Sequence, residues 1–241
     1  MTGAIGMMFG NQTPAAVVAE AASGTSYKNL GTASSYLSGS MNALGSGDFT
    51  VEFWMYNVDA TTTAGVNRNI FETRSSGGNN NGIFIYYNPA ANTIVWHFQS
   101  GGNFSTATGL SDDAWHHIAL VRSSGVARGF INGVYRGFLN NSTNKSSTVF
   151  RVGAFVDGIG ALETWNGYID DLRVSNNARY PSTTTFTPPG NLTSDANTNL
   201  LFKFNGTDGG TTFTDSGPSN RTITRNGSGA TTAIPPTYPY V

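Results

Sequence analysis

The sequence contains no cysteine. Disulfides and thiolate metal sites are therefore excluded, and the fold must rest on its core alone. Charge is scarce as well. Lys, Arg, Asp and Glu make up 11% of the residues, against roughly 25% in an ordinary soluble domain. The balance is 13 basic to 14 acidic side chains. No basic run marks the footprint that nucleic-acid binding leaves. No apolar run approaches the roughly 20 residues of a membrane span. The first Lys is Lys28, so no basic n-region opens the chain. The expectation is synthesis in the cytoplasm without entry into a secretory pathway.

Ser, Thr, Asn and 30 Gly supply the polarity that charge does not. These residues favour turns and strand ends over helix interiors. Short alternating runs follow one another from about residue 25 to 190, the pattern of an antiparallel sandwich. Phe49, Val51, Phe53 and Met55 alternate with Thr50, Glu52 and Trp54. Ile83, Ile85 and Tyr87 alternate with Phe84 and Tyr86, a strand apolar on both faces. A strand beginning at Asn92-Thr93 ends near Phe98. In Gly129-Phe130-Ile131-Asn132-Gly133-Val134-Tyr135, the Asn-Gly pair supplies the positive φ angles of a type I′ hairpin turn.

This organisation divides the chain into an N-terminal arm (1–24), a β-sandwich (25–225) and a Pro/Tyr-rich C-terminal arm (226–241). Residues 199–225 complete the sandwich by folding back, or complete a neighbour's as in a swap; folding back is favoured. Proline keeps the last residues extended. Tyr238 and Tyr240, with Val17 and Val18 at the other end, are candidate anchors of the arms on partner proteins.

Three blocks in order carry a family resemblance: Phe49-Thr50-Val51-Glu52-Phe53-Trp54; Trp115-His116-His117-Ile118-Ala119 with its hairpin; and Gly167-Tyr168-Ile169-Asp170-Asp171-Leu172-Arg173-Val174. Together they resemble the laminin-G-like, concanavalin A-like jelly rolls, over roughly residues 25–190. The resemblance implies an all-β, antiparallel jelly-roll sandwich used for binding or structure. The continuation Ser175 to Tyr180, closing at Phe186-Thr187-Pro188-Pro189, is similar to the variant found in structural proteins of tailed bacteriophages. That implies a virion surface protein made in the host bacterial cytoplasm. It would be a head decoration or cement-type protein docked through its arms, with a tail fibre or adhesin that binds host polysaccharide as the alternative. Partners would be other virion proteins, host glycans and further copies of the chain, with neither nucleic acid nor membrane.

Related glucanases carry a Glu-x-Asp-x-(x)-Glu run, which this sequence lacks. Glu52 and Glu163 stand alone, whereas retaining hydrolysis needs two carboxyls about 5 Å apart. A non-enzymatic role is expected. Adjacent His116 and His117 point to opposite faces of a strand and cannot share one ion. If Leu172 and Val174 face the core, Asp170 does too, and it would need an Arg or a backbone N–H as its partner, with Arg122 and Arg151 the candidate arginines. No cofactor is required. The resemblance leaves calcium open, with Asp157 and Asp170 as weak candidates beside Asp112 and Asp113; it would need about six to eight oxygen ligands. For a glycan, an aromatic platform beside amides points to Trp165 and Asn166, with the Asn79, Asn80 and Asn81 loop. Core packing is the competing role for Trp165.

Overall fold

A computed structural model describes residues 25–30, 34–57, 66–78, 81–107, 110–157, 163–228 and 230–235. Its regular elements are all strands: β1 (Ser26–Leu30), β2 (Tyr36–Ser40), β3 (Phe49–Asn57), β4 (Arg68–Glu72), β5 (Ile83–Asn88), β6 (Thr93–Phe98), β7 (Gly102–Ala107) and β8 (Trp115–Ser123). The series continues with β9 (Val126–Ile131), β10 (Val134–Asn140), β11 (Val149–Val152), β12 (Asn166–Ser175), β13 (Thr198–Phe202), β14 (Ile223–Asn226) and β15 (Ala230–Ala233).

Two antiparallel sheets face one another. The first runs β10-β9-β8-β3-β12-β1-β15, with β13 also paired to β12; the second runs β14-β2-β11-β4-β5-β6-β7. Alternation sets the core between them. Phe49, Val51, Phe53 and Met55 of β3 point inward with Ile118, Leu120 and Ile169, and meet Ile83, Ile85, Ile94, Trp96 and Phe98 of the second sheet. Each such side chain is worth about 1.5–3 kcal/mol when fully buried. The Asn-Gly hairpin forms as expected, with φ of 51° at Asn132 and 74° at Gly133. A Cβ at Gly133 would stand 1.7 Å from the carbonyl oxygen of Phe186, so this position needs glycine on two counts.

The C-terminal boundary expected at 225 falls inside a strand. β13 pairs with β12, β14 with β2, and β15 with β1 of the same chain. Residues 198–233 thus complete their own sandwich, and the presumed arm from 226 contributes β15. The arm anchors Val17, Val18, Tyr238 and Tyr240 lie outside the described residues, as do Asn79 and Asn80.

A second correction concerns Asp170. Between Asp170↔Trp54 and Arg173↔Glu52, β12 carries one residue more than β3, a β-bulge. Asp171, with φ 46°, takes up the extra position. The bulge resets the alternation. Ile169 and Leu172 both face the core, and Asp170 lies on the outer face beside Trp54. Its partners are the Ser26 hydroxyl at 2.9 Å and the Asp171 N–H at 2.8 Å, neither Arg122 nor Arg151. Arg122 is buried instead against the Gly45, Gly47 and Thr143 carbonyls.

Candidate functional site: the outer face of the second sheet

The two outer faces of the sandwich differ. That of the first sheet is closed by residues 176–193, which cross it as a strap. Tyr180 and Phe186 of the strap stack at 3.7 Å and cover Phe130, Ala119 and Val121. Beneath them lies Glu52, fully buried. Its Oε1 accepts from Arg173 Nη2 at 2.7 Å and Nε at 2.9 Å, and its Oε2 accepts from the Tyr180 hydroxyl at 2.8 Å. His117 Nε2 stands 3.3 Å away. Burial alone would raise the Glu52 pKa, but His117 and Arg173 together hold it below its ordinary value. Trp54 Nε1 donates to the Pro189 carbonyl at 3.2 Å and Arg173 Nη1 to Thr193 at 2.9 Å, which fasten the far end of the strap. Among the described residues, the strap thus covers the β3, β8 and β9 part of this face.

Among the described residues, the outer face of the second sheet is less covered: Ser38, Arg151 and His97 are half-buried and Thr224 and Asn103 exposed, while Glu72 and Phe84 are buried. Register places one row across it, from Thr224 through Ser38, Arg151, Glu72, Phe84 and His97 to Asn103. The inward neighbours Leu37, Phe150, Phe71, Ile85, Trp96 and Phe104 belong to or pack on the core, so strand alternation alone turns the row outward. Phe84 is the pillar of the row: His97 stacks on it at 4.1 Å and the Arg74 guanidinium lies 4.1 Å from its centroid. Phe155 meets the same ring edge-on at 5.7 Å.

Arg74 acts as a clamp between two carboxylates. Its Nε and Nη2 donate to Glu72 Oε2 at 3.1 and 2.7 Å, while Nη2 and Nη1 donate to Asp157 at 3.0 and 3.1 Å. The other oxygen of Glu72, Oε1, is buried with no hydrogen-bond partner among the described residues. Burial pushes the Glu72 carboxyl up to about 7, against the opposing pull of Arg74 and Arg151. Arg151 is directly across from it. The Arg151 guanidinium lies over the Tyr36 ring, 4.7 Å from its centroid, and its one hydrogen bond among the described residues is a long one, 3.5 Å from Nη1 to the Phe155 carbonyl. A pocket of about 240 Å³ opens beside it, lined by Ser38, Arg74, Ser75, Val149 and Arg151 among others.

The residues expected from sequence are placed elsewhere. Trp165 is fully buried in the core, 6.5 Å from Tyr87, and offers no surface platform. Asn166 pairs with Leu30 at the start of β12, and Asn81 is exposed in the loop before β5. Asp157 is engaged by Arg74, and Asp170 sits on the outer face of the opposite sheet, so the two calcium candidates are not brought together. Asp112 and Asp113 are exposed in a turn. His116 bonds the Ser111 carbonyl at 3.0 Å, and His117 lies on the opposite face under the strap, as their adjacency requires.

The profile of the concanavalin A-like lectin/glucanases superfamily matches residues 30–185. The chain belongs to that superfamily. A candidate carbohydrate-binding protein from Bacteroides ovatus shares the fold at a TM-score of 0.58 and 14% identity, over 90% of this chain and 62% of that one. The chain thus spans less than two thirds of that protein's length. The heptameric SAP-like pentraxin of Limulus polyphemus matches with a TM-score of 0.58 and 15% identity, over 88% of this chain and 96% of that one. No curated protein matches it in sequence. At these identities the solved structures establish the fold alone.

Proposed function

We propose that this chain is a non-enzymatic carbohydrate-binding protein and that its saccharide lies on the outer face of the second sheet. One observation carries the reading: the strap closes the first sheet's outer face, while the second presents a pocket walled by Arg151, Arg74, Ser38 and Ser75. Convergent polar groups beside partly buried aromatic surface are what a sugar, apolar on its ring faces and polar on its rim, requires. The superfamily and the Bacteroides ovatus relative support it. The carboxylates at this face, Glu72 and Asp157, are both committed to Arg74, which suits a scaffold better than acid–base chemistry.

A glycan array of neutral and acidic oligosaccharides, read for the natural sequence and for Ser38→Trp, tests this. The Trp would fill the pocket from a strand position, and aromatic side chains favour strands. We expect array signals that Ser38→Trp abolishes while the melting temperature stays within a few degrees. Signals indifferent to Ser38→Trp, or none at all, contradict the proposal.

The biological setting we propose is the surface of a tailed-phage virion, as head decoration or, alternatively, tail fibre. It is supported by the resemblance carried by Ser175 to Pro189. With β15 inside the sandwich, any docking arms reduce to residues 1–24 and 236–241. Immunogold labelling of virions tests it. Label over head or tail is expected, and its absence despite a signal in lysate contradicts it.

A further inference from the structure

Building on that carbohydrate reading, we propose that the saccharide is acidic, with a sugar carboxylate received by Arg151. Arg74 lines the same pocket, but Glu72 and Asp157 take its fork. Arg151 is differently placed. Among the described residues no carboxylate forms an ion pair with it, and its Nε and Nη2 make no hydrogen bond there. Yet it is not a loose surface chain. It is half-buried, rises from the interior strand β11, paired on both sides, and is packed over the Tyr36 ring. A guanidinium fixed by stacking has already lost the rotamer freedom that a binding arginine must otherwise give up. Its planar fork matches the two coplanar oxygens of a carboxylate, the strongest and most directional pairing open to it.

The surroundings decide the sign of the ligand. Ser38 and Val149 flank Arg151, adding a hydroxyl and an apolar wall but no negative charge. The carboxylate facing Arg151 across the ladder is Glu72, whose charge is already taken up by Arg74. A neutral sugar would leave the free edge of Arg151 to water. A uronic or nonulosonic acid would place its carboxylate on that edge, and its ring hydroxyls toward Ser38.

The test uses polygalacturonate, alginate and polysialic acid as immobilised probes, each beside its carboxyl-reduced counterpart, with dextran sulfate as a second anion. The full-length protein, Arg151→Gln and Arg151→Lys are compared by biolayer interferometry, with thermal melts to confirm folding. We expect at least one carboxylated probe to bind, with at least tenfold weaker binding after reduction. Arg151→Gln should lose that binding, and Arg151→Lys, which keeps charge without the fork, should fall between. Equal binding of reduced and native probes, or binding unchanged in Arg151→Gln, overturns the acidic assignment and leaves the carbohydrate reading standing. Preference for dextran sulfate over every carboxylated probe overturns the carboxylate. No binding to any probe, joined to a blank neutral array, overturns both.

Discussion

The hydroxyl of Tyr180 donates a 2.8 Å hydrogen bond to Oε2 of Glu52, 128 residues away in sequence. This contact joins the strap to the central strand of the first sheet. Glu52 has two carboxylate oxygens, one taken by Arg173 from the adjacent strand and the other by the strap. The buried charge is thereby fully bonded, and the strap's aromatic stack is held over Phe130. The strap thereby covers the Ala119, Val121 and Phe130 patch of the first sheet's outer face.

Removing that bond should loosen the strap before it unfolds the sandwich. A hydrogen bond to a charged group is worth about 1.5–3 kcal/mol. Tyr180→Phe is expected to lose that much in denaturant unfolding, with faster amide exchange along 176–193. Glu52→Ala should cost about 3–5 kcal/mol, because it strands the Arg173 charge in a buried site. A Glu52→Ala no less stable than Tyr180→Phe would contradict the hub.

Asp170 sets a pH dependence with a definite sign. Burial first, and the neighbouring Asp171 second, push its carboxyl up to about 8. An unfolded Asp ionises near 3.9. Between those values the folded chain holds a proton that the unfolded chain has released, so stability declines as pH rises from about 4 to about 8 and levels off above. Each pH unit in that window is worth up to about 1.4 kcal/mol. Glu72, raised to about 7, acts in the same direction. Asp170→Asn keeps an acceptor for the Asp171 N–H and gains an amide for Ser26, so its stability should vary less with pH. Chemical denaturation at pH 5 and pH 8 measures it; equal pH slopes in the two proteins would contradict the assignment.

Trp165 separates stability from binding. Its ring is buried in the core, so Trp165→Ala is expected to cost about 3–5 kcal/mol. The gentler Trp165→Phe should lower the melting temperature yet leave the saccharide affinity of the folded fraction unchanged, measured by calorimetry. A selective loss of affinity would restore the platform role that its position beside Asn166 first suggested.

Much of the sandwich is legible in the sequence because strand alternation and the Asn132-Gly133 turn are local signals. The bulge at Asp171 is not. One inserted residue puts Asp170 and Leu172 on opposite faces, where simple alternation would put them on the same one, and no local residue preference announces it. β13 to β15 are short, and their partners lie far back in the chain, so their pairing is a tertiary property. The candidate site is partly legible: Glu72 and Arg74 stand two apart, which puts both on one side of an extended strand. That Arg151 is directly across from Glu72 depends on a register linking segments nearly 80 residues apart, which composition cannot supply. Trp165 misleads because an aromatic beside an amide looks the same in sequence whether the ring faces solvent or core.

The central claim is that the row across the second sheet receives the saccharide, and amide chemical-shift mapping tests it most directly. Isotope-labelled protein would be titrated with the tightest-binding oligosaccharide of the array. The account predicts the largest shifts at Ser38, Glu72, Arg151 and their strand neighbours, with the strap and the first sheet silent. Largest shifts on the strap side, with that row unmoved, would contradict it.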